Sequence, residues 1–136
     1  MKKQHILIFL IAVCAQLSAF ASVLEKETLV KGTAKLNGTD IPIWFNITGE
    51  GIAEVGNGKN AAISQYSVGK LVIPASFTNA AENRQYKVTK VGDFAFSLCD
   101  KLTEVVLEEG ITEIGEQTFF GCNPLLNIGY PASLTT

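Results

Sequence analysis

The chain is 136 residues long, 47% hydrophobic and 18% charged, with a formal net charge of −2 and one histidine. That is room for one modest domain, and mild acidity without a basic run gives no electrostatic basis for holding nucleic acid or an anionic membrane. The histidine, His5, sits at the start, so Ser-His-Asp and Cys-His nucleophile pairs, HExxH helices and Cys/His zinc sites are excluded from everything downstream.

Residues 1–21 combine Lys2 and Lys3, an apolar run over 6–13 and a small-residue exit at Ala19-Phe20-Ala21. These are the three regions of a signal peptide, with cleavage expected before Ser22. The apolar run is shorter than the ~20 residues a spanning helix needs, so no membrane span is expected after cleavage. Val13 ahead of Cys14 argues against a lipoprotein signal. Export predicts a secreted or cell-surface protein.

Residues 22–69 read as a β-rich module. Ile41, Ile43, Phe45 and Ile47 alternate with Pro42, Trp44, Asn46 and Thr48, the period-2 pattern of a half-buried strand. Asn37-Gly38 supplies a turn before it and Gly49-Glu50-Gly51 a turn after it. A hairpin over 28–48 follows, with 52–55 as a short third strand. Trp44 falls on the face opposite the isoleucines, either as a lid on the neighbouring repeats, the favoured reading, or as an exposed aromatic able to stack on a ligand. Asn37-Gly38-Thr39 and Asn46-Ile47-Thr48 match the glycosylation acceptor pattern and are read as chance matches.

From Val88 the text repeats. VTKVGDFAFSLCDKLTEVVLEEG returns 23 residues later as ITEIGEQTFFGCNPLLNIGYPAS, superposing Gly92 on Gly115, Phe96 on Phe119, Cys99 on Cys122 and Leu102 on Leu125. A fixed period of this size marks a stacked repeat, in which no unit buries its apolar face alone. The IPASF of 73–77 aligns with YPASL of 130–134, which makes 70–77 a third, partial copy, separated from the next by a polar excursion read as a hairpin inserted at 78–88.

The string Val88-Thr89-x-Val91-Gly92-x-x-Ala95-Phe96-x-x-Cys99-x-x-Leu102-x-x-Val105-x-Leu107 resembles the BspA-type (Treponema pallidum-type) leucine-rich repeat. It departs from that pattern at Glu108, Thr118 and Leu98, where proline, alanine and glycine are usual. The resemblance implies a mainly β chain in which N-terminal hairpins lead into a short leucine-rich-repeat solenoid over 70–136, with ~23-residue coils. It also implies a non-catalytic exported module that recognises a protein or glycan on a cell surface.

In such a coil Leu102, Val105, Leu107, Ile111, Ile114, Phe119 and Cys122 point inward. Short parallel strands are expected at 71–73, 105–107 and 128–130. Gly92 and Gly115 are expected at positive φ, and Asp93 to Phe96 and Glu116 to Phe119 as single helical turns. Cys99 and Cys122 fall on one ladder, as stacked free thiols, the preferred reading, or as a disulfide. The outward residues form columns, and Lys70, Val72, Glu104, Val106 and Asn127 make the candidate partner-binding face, with plain solvated sheet surface as the alternative. Leu126, Ile128 and Tyr130 on the last rung form a candidate edge for strand addition, through which the chain is expected to self-associate. Two other readings stand beside recognition. One is a structural cap or remnant of a longer array. The other is a carboxylate hydrolase built on Glu108, Glu109, Glu113 and Glu116, disfavoured because a sugar-sized cleft is rare in so short a chain. With no glycine-rich phosphate loop, no cofactor is expected.

Overall fold

The computed structural model describes residues 28–135; the expected signal peptide and its cleavage site lie outside them. The strands run β1 (Leu29–Leu36), β2 (Thr39–Gly49), β3 (Ile52–Val55), β4 (Gly69–Ile73), β5 (Ser76–Asn79), β6 (Arg84–Val91), β7 (Leu102–Leu107), β8 (Glu113–Ile114) and β9 (Asn127–Gly129). They form one mixed sheet in the order β5-β6-β3-β2-β1-β4-β7-β9, with β8 pairing β6 off that path.

The expected hairpin is present. Asn37 and Gly38 both take positive φ, 52° and 83°, as a two-residue turn between right-twisted strands requires. β1 and β2 pair along their whole length, from Leu29↔Asn46 to Leu36↔Thr39. Ile43, Phe45 and Ile47 are buried while Trp44 and Thr48 are exposed, as the alternation predicts. Pro42 is tolerated because β3 pairs β2 only from Phe45 onward, leaving no neighbour on that side to miss its N–H.

β3 joins the two halves of the molecule. One of its edges pairs antiparallel with β2, and the other pairs parallel with β6 through Ala53↔Val88, Glu54↔Lys90 and Val55↔Val91, with a bulge between the first two. β6 in turn pairs parallel with β8 through Lys90↔Glu113 and Val91↔Ile114. A second parallel column runs β4-β7-β9, with Leu71↔Val105 and Val105↔Ile128 in register. Each coil therefore contributes one strand to each column. Three coils result: coil 1 over 52–73, coil 2 over 88–107 and coil 3 over 111–129. The strand expected at 52–55 is thus also the first rung of the solenoid.

The hydrophobic core is continuous from Ala34 to Cys122. Phe45 and Phe77 stack with ring centroids 4.1 Å apart and planes 4° from parallel, and Tyr86 stacks on Phe77 at 5.6 Å. Gly32 makes room for that stack, since a Cβ there would stand 2.6 Å from the Phe45 ring.

Three local expectations need correction. Gly92 and Gly115 do not take positive φ; left-handed backbone falls instead on Phe94, Leu98, Gln117 and Gly121. The glycines are required for space. A Cβ on Gly92 would lie 2.6 Å from the Val55 carbonyl oxygen, and one on Gly115 would collide with Asp93 and the Gly92 backbone. The single helical turns are likewise replaced by chained i→i+3 turns (Ala95 to Gly92, Ser97 to Phe94, Cys99 to Phe96), because a left-handed residue inside the segment stops a right-handed helix from propagating. Trp44, expected as a lid on the neighbouring repeats, is instead 37% exposed. The Lys31 ammonium sits 4.9 Å from its ring centroid, and Trp44 shares a shallow cleft with the β5–β6 turn residues Asn79, Ala80 and Ala81. Its side chain lies on the sheet face opposite the core that the repeats fill.

Candidate interaction face

The three coils hold their outer side chains in columns because each parallel strand repeats its neighbour's register. Lys70↔Glu104↔Asn127 forms one column and Val72↔Val106↔Gly129 the next, so the structure brings together all five residues expected on the strand face. Lys70 and Asn127 are exposed, and Val72, Glu104 and Val106 half-buried. Lys70 Nζ stands 3.3 Å from Glu104 Oε1 across the rung, an exposed pair worth well under ~1 kcal/mol that orders the surface rather than holding the fold.

Sequence reading missed how far this face extends. β1 pairs antiparallel with β4 through Lys35↔Val72 and Leu36↔Leu71, so Lys35 and its hairpin partner Asp40 continue the second column beyond the solenoid. Lys35 Nζ and Asp40 Oδ1 are 2.6 Å apart. Asn37 locks the junction: its Nδ2 donates to the Val68 carbonyl at 2.8 Å, and its Oδ1 accepts from the Lys70 N–H at 2.9 Å. That gives a structural use to a residue whose acceptor motif was read as chance. Asn46, in the other motif, donates to Glu54 Oε1 at 3.2 Å.

The β3-β6-β8 column carries Glu54, Lys90 and Glu113 outward. Lys90 Nζ lies 3.3 Å from Glu113 Oε1. Slight burial works to lower the Lys90 pKa, but the hydrogen bond and charge of Glu113, with Asp93 and Glu54 nearby, outweigh it and raise the value. The string that could have revealed coil 1 is Ile52-Ala53-Glu54-Val55-Gly56, an echo of Ile111-Thr112-Glu113-Ile114-Gly115.

Of the four carboxylates weighed as a hydrolytic set, Glu108, Glu109 and Glu113 are engaged by neighbouring groups, and at Glu116 it is the backbone N–H that is held. Glu108 Oε2 accepts the Ala75 N–H at 3.1 Å. Glu109 accepts two, from Ala132 at 2.7 Å and Ser133 at 3.2 Å. Glu113 pairs with Lys90, and the Glu116 N–H donates to Asp93 Oδ1 at 2.9 Å. Glu108 thereby ties coil 1 to coil 2 where the repeat usually has proline. Among the described residues no group of three or more His, Cys, Asp or Glu is placed to hold a metal ion.

Cys99 and Cys122 are free and buried on neighbouring rungs, and the Cys122 thiol donates to the Phe96 carbonyl at 3.0 Å. Burial deprives a thiolate of water and pushes Cys99 up to about 12, with the charges of Cys122 and Asp100 adding to it; burial raises Cys122 too. Both thiols are thereby held in the protonated form more firmly than a solvent-exposed cysteine.

The candidate strand-addition residues lie on the last described coil. Leu126 is 88% and Tyr130 59% exposed, while Ile128 is half-buried on β9, at the end of the strand order. A threonine ladder on the other flank shows the repeat's periodicity: Thr112 donates its N–H to the Thr89 carbonyl at 2.8 Å, and Thr135 to Thr112 at 2.9 Å.

Residues 76–136 match the family model described as the BspA type leucine rich repeat region (6 copies). No curated protein matches the chain. Among solved structures, a leucine-rich repeat protein from Bacteroides ovatus is 31% identical with a TM-score of 0.56, one from Bacteroides capillosus 25% identical at 0.52, and one from T. pallidum 22% identical at 0.54. Each match covers 68% of this chain. The chain spans 23%, 63% and 38% of those chains respectively, less than two thirds of any of them.

Proposed function

We propose that this chain, whose residues 76–136 are a BspA-type leucine-rich repeat region, is a non-catalytic exported module that recognises a protein or glycan on a cell surface through the outer face of its β4-β7-β9 strands. One observation carries the reading. Val72 and Val106 stand adjacent on that face, half-exposed, flanked by the Lys70–Glu104 pair on one side and the Lys35–Asp40 pair on the other. An apolar centre with a charged rim is the layout of a recognition surface. The engagement of the Glu108 and Glu109 carboxylates in corner hydrogen bonds, and of Glu113 in an ion pair with Lys90, supports a non-catalytic role. The signal-peptide pattern of residues 1–21 supports export, as does the membership of the repeat region in a family expected at cell surfaces. No helix among the described residues is long and apolar enough to cross a membrane.

The test is a pull-down from surface-protein and glycan fractions with the wild-type chain and with Val106→Glu. The substitution places a charge on a half-exposed position and leaves the core intact, so the recognition reading expects capture to be lost with the melting temperature retained. Equal capture by both proteins rejects this face.

A second reading, self-association through the last described coil, is favoured by the exposure of Leu126 and Tyr130 beside β9, whose outer edge pairs with no strand among the described residues. It expects a concentration-dependent mass in sedimentation that Ile128→Lys abolishes. A monomer at all concentrations rejects it.

A further inference from the structure

The sheet contains a split that neither the repeat pattern nor the outer face accounts for. Thr28 opposite Ile47 is a hydrogen-bonded pair, the Ile47 N–H donating to the Thr28 carbonyl at 2.7 Å. In an antiparallel ladder such pairs alternate, so Val30, Gly32, Ala34 and Leu36 bond to β2, while Leu29, Lys31, Thr33 and Lys35 aim their N–H and C=O groups at the opposite edge. At Lys35 and beyond, that edge is occupied by β4, and Asn37 N–H donates to the Lys70 carbonyl at 2.8 Å. Carried on in the same register, the chain after β4 would place Pro74 opposite Thr33 and Ser76 opposite Lys31. Pro74 has no N–H to give Thr33, and Glu108 holds the Ala75 N–H from the other side. The chain peels away and becomes β5, which pairs with β6 instead.

β5 has the same one-sidedness. Val88 N–H donates to the Ala75 carbonyl at 2.8 Å, so Phe77 and Asn79 bond to β6 while Ser76 and Thr78 point their backbone groups away from it. The direction away from β6 is toward β1. A cleft of ≈ 400 Å³ lies there, lined by Lys31, Thr33, Ser76 and Thr78 with Phe77 and Gly32 among its other walls. It continues past Lys31 and Ala80 into the shallow cleft beside Trp44. Among the described residues, these two strand edges pair with nothing.

We propose that this split seam is a docking slot for an extended peptide, which adds as a strand between β1 and β5. Two facing rows of free N–H and C=O groups recur every second residue, the spacing of a polypeptide backbone and not of a sugar chain. Toward the core the slot is floored by Gly32, Ala34 and Phe77, with the Phe77 ring 3.2 Å from where a Gly32 Cβ would stand, so only small or β-branched apolar side chains fit there, and only as the rings slide apart. Toward solvent it is bordered by Lys31 and Lys35 on β1 and by Asp40 and Glu108, which favours charged residues at the alternate positions. Cα atoms of β1 and β5 come within 8 Å of each other, whereas strands flanking a third stand ~10 Å apart. Entry therefore swings the β5–β6 hairpin outward by roughly 2 Å about the Pro74 corner, with the parallel Phe45 and Phe77 rings sliding past one another. The slot shares Val72, Lys35 and Asp40 with the margin of the β4-β7-β9 face but not Val106, so Val106→Glu tests that face without altering the slot.

The experiment is amide exchange by NMR, with and without a pool of acetylated, amidated hexapeptides alternating valine with threonine, glutamate or lysine. In the free protein the amides of Lys31, Thr33, Ser76 and Thr78 exchange fast while those of Gly32 and Phe77 are protected; with the pool present the four slow by ~10-fold or more. Thr78→Pro removes one free N–H without touching the β5–β6 ladder, so it keeps the melting temperature and loses the peptide effect. Should that variant fail to fold, the same pool N-methylated at alternate residues takes its place and leaves the four amides unslowed. The proposal is overturned if the four amides are already protected in the free protein, if the pool leaves them unchanged, or if chitohexaose slows them and the peptides do not.

Discussion

Coil 2 and coil 3 are nearly the same sentence written twice, yet they sit differently in the molecule. Val91, Phe96, Leu102 and Val105 in coil 2 are fully buried, whereas their counterparts Ile114, Phe119, Leu125 and Ile128 in coil 3 are half-buried. Cys99 is 0% exposed and Cys122 8%. The residue types agree, so the difference comes from neighbours: coil 2 is stacked on coil 1 through β3-β6 and β4-β7 and on coil 3 through β6-β8 and β7-β9, while coil 3 has described structure on one side only. In a linear array the motif sets which way a side chain points, and the stacking sets how much that burial contributes.

The largest expected asymmetry among the leucines is Leu102→Ala against Leu125→Ala. The first opens a cavity in a closed core and costs ~2–5 kcal/mol, and the second costs less than half as much because its site can relax. Urea titration of the two variants measures the gap. Next come the spacing glycines. Gly92→Ala drives a Cβ against the Val55 backbone oxygen and destabilises by ~1–3 kcal/mol. Gly115→Ala meets Asp93, whose side chain can turn aside at the loss of its hydrogen bond to the Glu116 N–H, though the nearby backbone cannot. The clash is no looser than at Gly92, so the smaller loss expected here rests on coil 3 being stacked on one side among the described residues and free to shift; equal losses would show that it cannot.

A smaller effect is the response to alkali. The folded Cys99 thiol ionises near 12 against an ordinary 9.0, so its protonated form is favoured by folding. That contribution is whole below pH ~9 and drains away as pH rises toward 12, because the unfolded chain gives up the proton first. Stability should fall across that window, and less steeply in Cys99→Ala. In the native protein at pH 8, alkylation should reach Cys122 before Cys99, following their exposure.

Much of the solenoid was legible because its positions recur: the inward ladders, the parallel strands of coils 2 and 3, and the outward columns all follow from one 23-residue shift. The β1–β2 hairpin was legible from Asn37-Gly38 and the isoleucine alternation. Other features were not. Pairing of Lys35 with Val72 joins segments far apart in sequence and leaves no local trace, so the widening of the outer face over Lys35 and Asp40 went unseen. Coil 1 was read as part of a meander because Ile52 to Val55 carries the repeat's corner without its Phe and Cys positions. The role of Gly92 was misread because a missing Cβ serves space as well as φ, and only the Val55 carbonyl tells the two apart.

The central claim, that identical motif residues draw their stability from stacking on both sides, is tested most directly by comparing Phe96→Ala with Phe119→Ala in denaturant titration. These rings stack on each other at 5.7 Å, but only Phe96 is fully enclosed. Phe96→Ala should cost ~3–5 kcal/mol, a large share of a small domain's stability, and Phe119→Ala distinctly less. Equal losses, whether both large or both small, would contradict it.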